Sequence, residues 1–336
     1  MRLRELATLV AFFAVVGVAG CAQARVVTDM SGRSVALPDQ PMRVVTIGAV
    51  PVLNSFLFAL GEQDKIVNGP PPELARKFQY VFAPNLTGKP IVQGAEKGLS
   101  VETIVTLKPD VILTMDVATV QALAAFNLPV VLLRWTAPDD VKALMALLGD
   151  IFGKQSAARD YGAYFDKTTQ RIAAIVAQID AAHRPRVLYA NLRRLTQPHR
   201  IADWWIARAG GRSVTDNGRT EESYTFSLEQ FLAWDPQILI VADRAELEMA
   251  LHEPRFQNVS AVRDKHVYVA PAGAHLWANR TIEQPLTLIW ATSIILPQQL
   301  PAEAVRADID DFYQRFFHVK LSAEQIDEIL AGAPGR

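Results

Sequence analysis

The chain has 336 residues, half of them apolar, with 34 basic against 35 acidic side chains, enough for one or two packed cores and inconsistent with a disordered chain. A net charge of −1 and a pI near 6.6 provide no global field for nucleic acid or an anionic membrane surface. The single cysteine can close no internal disulfide and supply no paired CxxC zinc site.

In chain order, Arg2 and Arg4 precede an apolar run from Leu6 to Gly20, short of the roughly 20 residues that span a bilayer, so the segment reads as a secretory signal peptide. Two exits compete. Val18-Ala-Gly-Cys21 looks like a lipoprotein box that would lipidate Cys21 after residues 1–20, whereas Ala22-Gln-Ala24 is a small-x-small site. Cleavage after Ala24 is favoured, because a lipid on Cys21 would leave only a short tether before strand-like Val26-Val-Thr28. Cleavage removes two basic residues and one acidic residue, for a net charge of −2. No later stretch approaches 18 apolar residues without a charge or proline. The mature protein is expected in the periplasm, or lipid-anchored through Cys21.

Arg43-Val-Val-Thr-Ile-Gly48 predicts a buried strand, and Val52 to Leu60, ended by Gly61, predicts a helix. Arg186 to Ala190, then Ile201 to Ala209 and Gly210-Gly211, predict the same pair in the second half. A closer echo follows. Leu99 to Asp116 lines up without gaps on Phe226 to Asp243, each pair offset by 127, with a capping serine, an amphipathic helix, a helix-ending proline and a strand ending in aspartate. Further strands are predicted at Pro129–Leu133 and Lys265–Val269. Between the halves, Gln155 to Ala181 carries apolar residues at three- and four-residue steps and predicts one connecting helix. Ala302 to Leu330 predicts outer helices that bury Phe312, Tyr313, Phe316 and Phe317. Alternating βα units imply two Rossmann-like α/β lobes of mainly parallel sheet, 25–153 and 183–336, joined by a helical segment 154–182, with the ligand cleft between them. One stiff link implies small relative motion.

These features carry a resemblance. The export signal, the two lobes, the single connector and the paired Ser-x-Glu helices resemble the substrate-binding proteins of iron-siderophore, haem and vitamin B12 ABC importers. The specific phrases are Val27-Thr-Asp-Met-Ser-Gly-Arg-Ser-Val35, Arg43-Val-Val-Thr, Leu107-Lys-Pro-Asp-Val-Ile112 and Gly273-Ala-His-Leu-Trp-Ala-Asn-Arg280, over roughly Val27 to Phe317. The resemblance implies a monomeric, cofactor-free receptor that delivers a small-molecule metal chelate to an ABC permease dimer with its cytoplasmic ATPase. It also implies that Glu102 and Glu229 dock on permease arginines. On the residues alone, each glutamate simply favours the positive end of its helix.

Ligands in parallel α/β lobes sit beyond the carboxyl ends of the strands, which nominates Gly48 to Pro51, Asn68, Gly69, Asp116 and Trp135 in the first lobe. In the second lobe the rule nominates Asn191 to Arg194, Asp243, Arg244 and 273–280. Arg193, Arg194, His199 and Arg200 crowd one stretch, either as a solvated loop or as donors to an anionic chelate. If 273–280 stays extended, His275 and Trp277 share a side, with His275 a metal or hydrogen-bond contact or else a structural histidine. Trp135 is a cleft wall or a core residue; Tyr224 and Arg280 complete the candidates. No residue set nominates a direct metal site, since the six histidines show no HExxH, HxH or histidine-rich loop. The absence of GxGxxG after the first strand, GxxxxGK[ST], GxSxG and a cysteine nucleophile disfavours enzymes, leaving a two-lobed chelatase as a distant alternative. The expected ligand is an iron(III) chelate, most simply a ferric siderophore; haem, cobalamin or a nickel or cobalt chelate is the alternative.

Overall fold

The computed structural model describes residues 24–94 and 98–332; the expected export signal, all but its last residue Ala24, and Cys21 lie outside them. The first described elements are an antiparallel hairpin, β1 (Ala24–Thr28) and β2 (Ser34–Pro38). Its turn is knotted by the Asp29 carboxylate, which accepts from Ser31 and Arg33 and holds the Leu132 N–H at 3.2 Å. Burial pushes the Asp29 pKa up, but those hydrogen bonds outweigh it and hold it at about 2.

In the first lobe, β3 (Val44–Ile47), β4 (Val111–Thr114) and β5 (Val130–Leu132) form a parallel sheet in that order, every residue buried. In the second, β6 (Arg186–Ala190) is followed by the short β7 (Thr196–Gln197), β8 (Arg212–Ser213) and β9 (Tyr224–Thr225), then β10 (Ile238–Val241) and β11 (Val267–Val269). The parallel sheet there runs β11-β10-β6-β8, while β7 and β9 pair antiparallel beside it. Strands buried on both faces read as continuous apolar runs, which is why they were visible in the sequence.

The repeat holds in detail. The Val101–Thr106 helix and β4 are matched at an offset of 127 by the Leu228–Trp234 helix and β10. Lys108 and Asp235, each before a proline, both take a left-handed backbone, at φ 45° and 41°. The caps differ. Ser227 forms a capping box with Gln230, whereas the Ser100 hydroxyl bonds Thr103 and caps no N–H.

The connector is shorter than the sequence predicts. It spans Gln155–Val176, 22 residues or about 33 Å, because Asp180 turns its side chain onto the Ala182 N–H and starts a separate helical turn. A second joint accompanies it. The Ala302–Phe312 helix ends in a single π turn, Tyr313–Phe317; with Phe312 at the helix end, the turn buries four aromatics. Tyr313 stacks on Phe82 at 4.9 Å, Phe317 meets Phe58 edge-on at 5.6 Å, and Phe316 meets Tyr161 of the connector at 5.7 Å. The tail therefore packs on helices of the first lobe as well as the second. Rings interlocked in this way resist hinge opening more than a single helix does. Solution scattering should show little change in radius of gyration on ligand addition; a contraction on the scale of wide hinge closure would mean that this joint gives way.

Candidate ligand cleft

The cleft is built from the second lobe outward. After β11 the chain folds back on itself at 271–277, where Gly273 N–H donates to the His275 carbonyl and Trp277 N–H to that of Pro271. The fold-back corrects the extended reading, so strand alternation does not set the directions of His275 and Trp277, and the Trp277 ring is fully buried in the core. The turn is organised by the buried carboxylate of Glu283. It accepts from Ala274 N–H at 2.8 Å, His275 N–H at 3.1 Å, Thr281 Oγ1 at 3.1 Å and Tyr313 Oη at 2.5 Å. Gly273 is required by this close approach, since a Cβ there would stand 1.9 Å from Tyr313 Oη and 2.1 Å from Glu283 Oε1.

So held, His275 packs beside Asn279. Tyr189 Oη donates to Asn279 Oδ1 at 3.2 Å, which turns the amide so that its Nδ2 faces His275 Nε2 at 3.3 Å. A neutral ring that accepts at Nε2 carries its hydrogen on Nδ1, and that atom is buried with no partner among the described residues. Burial, then the nearby charges of Arg76 and His199, push the His275 pKa down to about 3.

Arg76 comes from the other lobe. It immediately precedes the Lys77–Phe82 helix, with extended backbone, at the end of the loop that begins with Pro70-Pro-Pro72. Among the described residues its half-buried guanidinium has no hydrogen-bond or ion-pair partner; burial lowers its pKa, while Tyr189 and Glu283 oppose that shift. The helix it opens is pinned across the lobes. Gln79 Nε2 donates to the Ala274 carbonyl at 2.7 Å and the Pro51 carbonyl at 3.0 Å, and its oxygen accepts from Asn54, which in turn accepts from Thr46 of β3.

Two further nitrogen donors close the group. His199 Nδ1 and Arg280 Nη2 meet one oxygen of Glu222, at 3.0 and 3.1 Å. Burial raises the Glu222 pKa, but His199, Arg280 and Arg200 together bring it below the ordinary carboxylate value. Its loop is anchored by the buried Asp203–Arg219 pair at 2.8 Å, whose carboxylate also accepts from Gln197, Ser213 and Thr215. On the first-lobe side a cavity of about 460 Å³ opens at the strand ends, lined by Gly48, Gln93, Met115, Asp116 and Thr119 among others.

Of the residues nominated from sequence, His199, His275 and Arg280 are brought together. The others are placed differently. Trp135 is core, edge-on to Phe56 at 5.4 Å. Tyr224 packs on Trp234 and under Arg219. Arg193 forms a two-point ion pair with Asp243 at 3.3 Å, and Arg194 is exposed. Asp116 and Asp243 cap the helices that follow their strands. Glu102 and Glu229 are exposed on their helices. Sequence reasoning missed Arg76, Glu222 and Glu283. Only the position of Arg76, a few residues beyond the nominated Asn68 and Gly69, offered a signal.

Because the His275 pKa lies below its unfolded value of about 6.5, the neutral ring's contribution is complete above pH 6.5 and is lost as pH falls toward 3. Denaturation of wild type against His275→Gln should therefore diverge across that window, by up to about 1.4 kcal/mol per pH unit. Parallel curves would mean that the ring titrates normally.

Comparison with known proteins gives the chain its family. The periplasmic binding protein profile matches residues 55–274. The molybdate-binding protein MolA of Haemophilus influenzae is 23% identical over 326 residues, covering 87% of this chain and 91% of that protein. Its molybdate-bound structure superposes with a TM-score of 0.78 over 89% of this chain and 99% of that one. A periplasmic solute-binding protein from Veillonella parvula gives a TM-score of 0.78 at 25% identity, over 92% of this chain and 97% of that one. Helicobacter pylori CeuE with nickel(II) bound gives 0.73 at 14% identity, over 91% and 99%. The chain therefore belongs to the periplasmic binding protein family, a binding protein rather than an enzyme.

Proposed function

We propose that this protein captures an anionic, oxygen-rich metal species between its lobes and delivers it to a membrane permease. The observation that carries the reading is Arg76: a half-buried guanidinium without an anion among the described residues, close enough to lower the His275 pKa from the other lobe, where the His275 Nδ1 is likewise buried without a partner among those residues. A buried cation of this kind is costly until an anion meets it, and guanidinium and imidazole N–H groups suit oxygen acceptors. A compact metal oxyanion fits best. The tryptophans expected to cover an organic scaffold, Trp135 and Trp277, are core residues, and the relative MolA binds molybdate. A ferric siderophore or another anionic chelate is the second reading, favoured by the 460 Å³ cavity, a size that suits a larger ligand.

The export reading carries over. Residues 1–24 act as the export signal, or Cys21 carries a lipid, and the protein works in the periplasm. Glu102 and Glu229 dock on cationic groups of the permease, because two separated carboxylates on equivalent helices read the spacing of a two-lobed partner.

Calorimetric titration with molybdate, tungstate, sulfate, ferric hydroxamates, catecholates and citrates, haem and cobalamin tests the ligand class. Arg76→Ala should weaken the anion that binds wild type tenfold or more, since a charge-assisted bond contributes about 1.5–3 kcal/mol. Arg193→Ala with Arg194→Ala should change it little, because Asp243 already neutralises Arg193. Wild type binding only neutral or cationic ligands, with Arg76→Ala unaffected, would overturn the anionic reading. Separately, Glu102→Ala with Glu229→Ala should keep ligand affinity and abolish uptake; a tenfold loss of affinity in that variant would place the glutamates in the cleft.

A further inference from the structure

The repeat places more than carboxylates on the outer helices. In the Val101–Thr106 helix Ile104 is fully buried while Glu102 and Val105 face solvent; in the Leu228–Trp234 helix, 127 residues on, Phe231 is fully buried while Glu229 and Leu232 face solvent. Val105 is 45% exposed and Leu232 40%. Among the described residues the large exposed apolar side chains also include Val26, Met42, Ile91, Val117 and Phe126, but only Val105 and Leu232 are related by the repeat. Each lies three positions after its glutamate, about one helical turn on along the same face.

The location is also duplicated. Leu99, just before the first helix, lines the cavity at the strand ends, and β9, just before the second, pairs with β7 beyond the end of β6. Both helices therefore begin at the cleft end of their lobes.

We propose that Val105 and Leu232 are paired apolar anchors of the permease-docking surface, each inserting beside a carboxylate contact into an apolar pocket of a partner that repeats its docking face twice. The inference rests on Glu102 and Glu229 as docking carboxylates. Carboxylates at an exposed rim steer approach and set register but lose strength with salt, whereas apolar side chains buried at a contact lower the off-rate without salt dependence. A single-lobed partner, or a bare lipid surface repelled by the glutamates, would make no use of matched pairs at one spacing.

The test is saturable binding of fluorescently labelled protein to inner-membrane vesicles of the native host, with vesicles from a strain lacking the permease as the blank. Val105→Ser with Leu232→Ser should weaken binding at least tenfold while retaining the wild-type salt dependence, the thermal melting point and the ligand affinity; each single variant should show part of the loss. Phe126→Ser is the control for removing an exposed apolar residue elsewhere and should bind as wild type. Glu102→Ala with Glu229→Ala should lose both binding and its salt dependence. If the glutamate variant fails to bind and the apolar variant binds as wild type, the anchors are refuted and the docking carboxylates stand. If the glutamate variant binds as wild type, the docking reading itself falls, and the anchors with it. A loss in the apolar variant no larger than in Phe126→Ser also refutes the anchors.

Discussion

A carboxylate removed from water must be met by donors, and at Glu283 four arrive from separate parts of the fold: two backbone N–H groups of the 271–277 turn, the Thr281 hydroxyl and the phenol of Tyr313. Burial still raises its pKa against those bonds. The arrangement admits little variation, because Gly273 leaves room for nothing larger beside it. What it fixes is the direction in which His275 is presented. The tail of the chain, 30 residues later, thus takes part in shaping the cleft through Tyr313.

The same turn is tied to the opposite lobe by a different currency of contact. The Ala274 carbonyl accepts from Gln79, and Gln79 is in turn part of a buried amide and hydroxyl chain running through Asn54 to Thr46 on β3. Beside it, Tyr161 of the connector donates to the Ile282 carbonyl at 2.8 Å. Together with the aromatic cluster around Phe82, these bonds make the base of the cleft a rigid joint, so that recognition falls to a preset group of donors. Arg76 immediately precedes the helix that Gln79 pins, which sets a first-lobe cation near enough to His275 of the second lobe to lower its pKa.

Glu222 gives the cleft an internal balance of charge. His199 and Arg280 share one of its oxygens, while Arg76 and the His275 Nδ1 remain without a protein acceptor among the described residues. The first set is balanced within the protein; in the second, the Arg76 charge has no such balance, and the proposed anion would supply it.

Buried parallel strands, helix-ending prolines and the 127-residue repeat are local or periodic features, and they were legible because each is dictated by a short stretch of backbone. The Ser-x-Glu helices, β4 and β10 lie where the repeat put them, and the apolar face of the tail was visible in the spacing of Phe312, Tyr313, Phe316 and Phe317. The cleft was legible only in part. His199, His275 and Arg280 follow strands and could be nominated by topology, but Trp135 and Trp277 could not be told from core, since periodicity does not say which side of an irregular segment turns inward. Arg76, Glu222 and Glu283 come from loops and helix ends whose separation in sequence carries no period. Their charges acquire a role only when tertiary packing removes them from water and sets them against one another, so composition and spacing determined the two-lobed scaffold, while the packing of the turn on Glu283 and of Gln79 across the lobes decided the site.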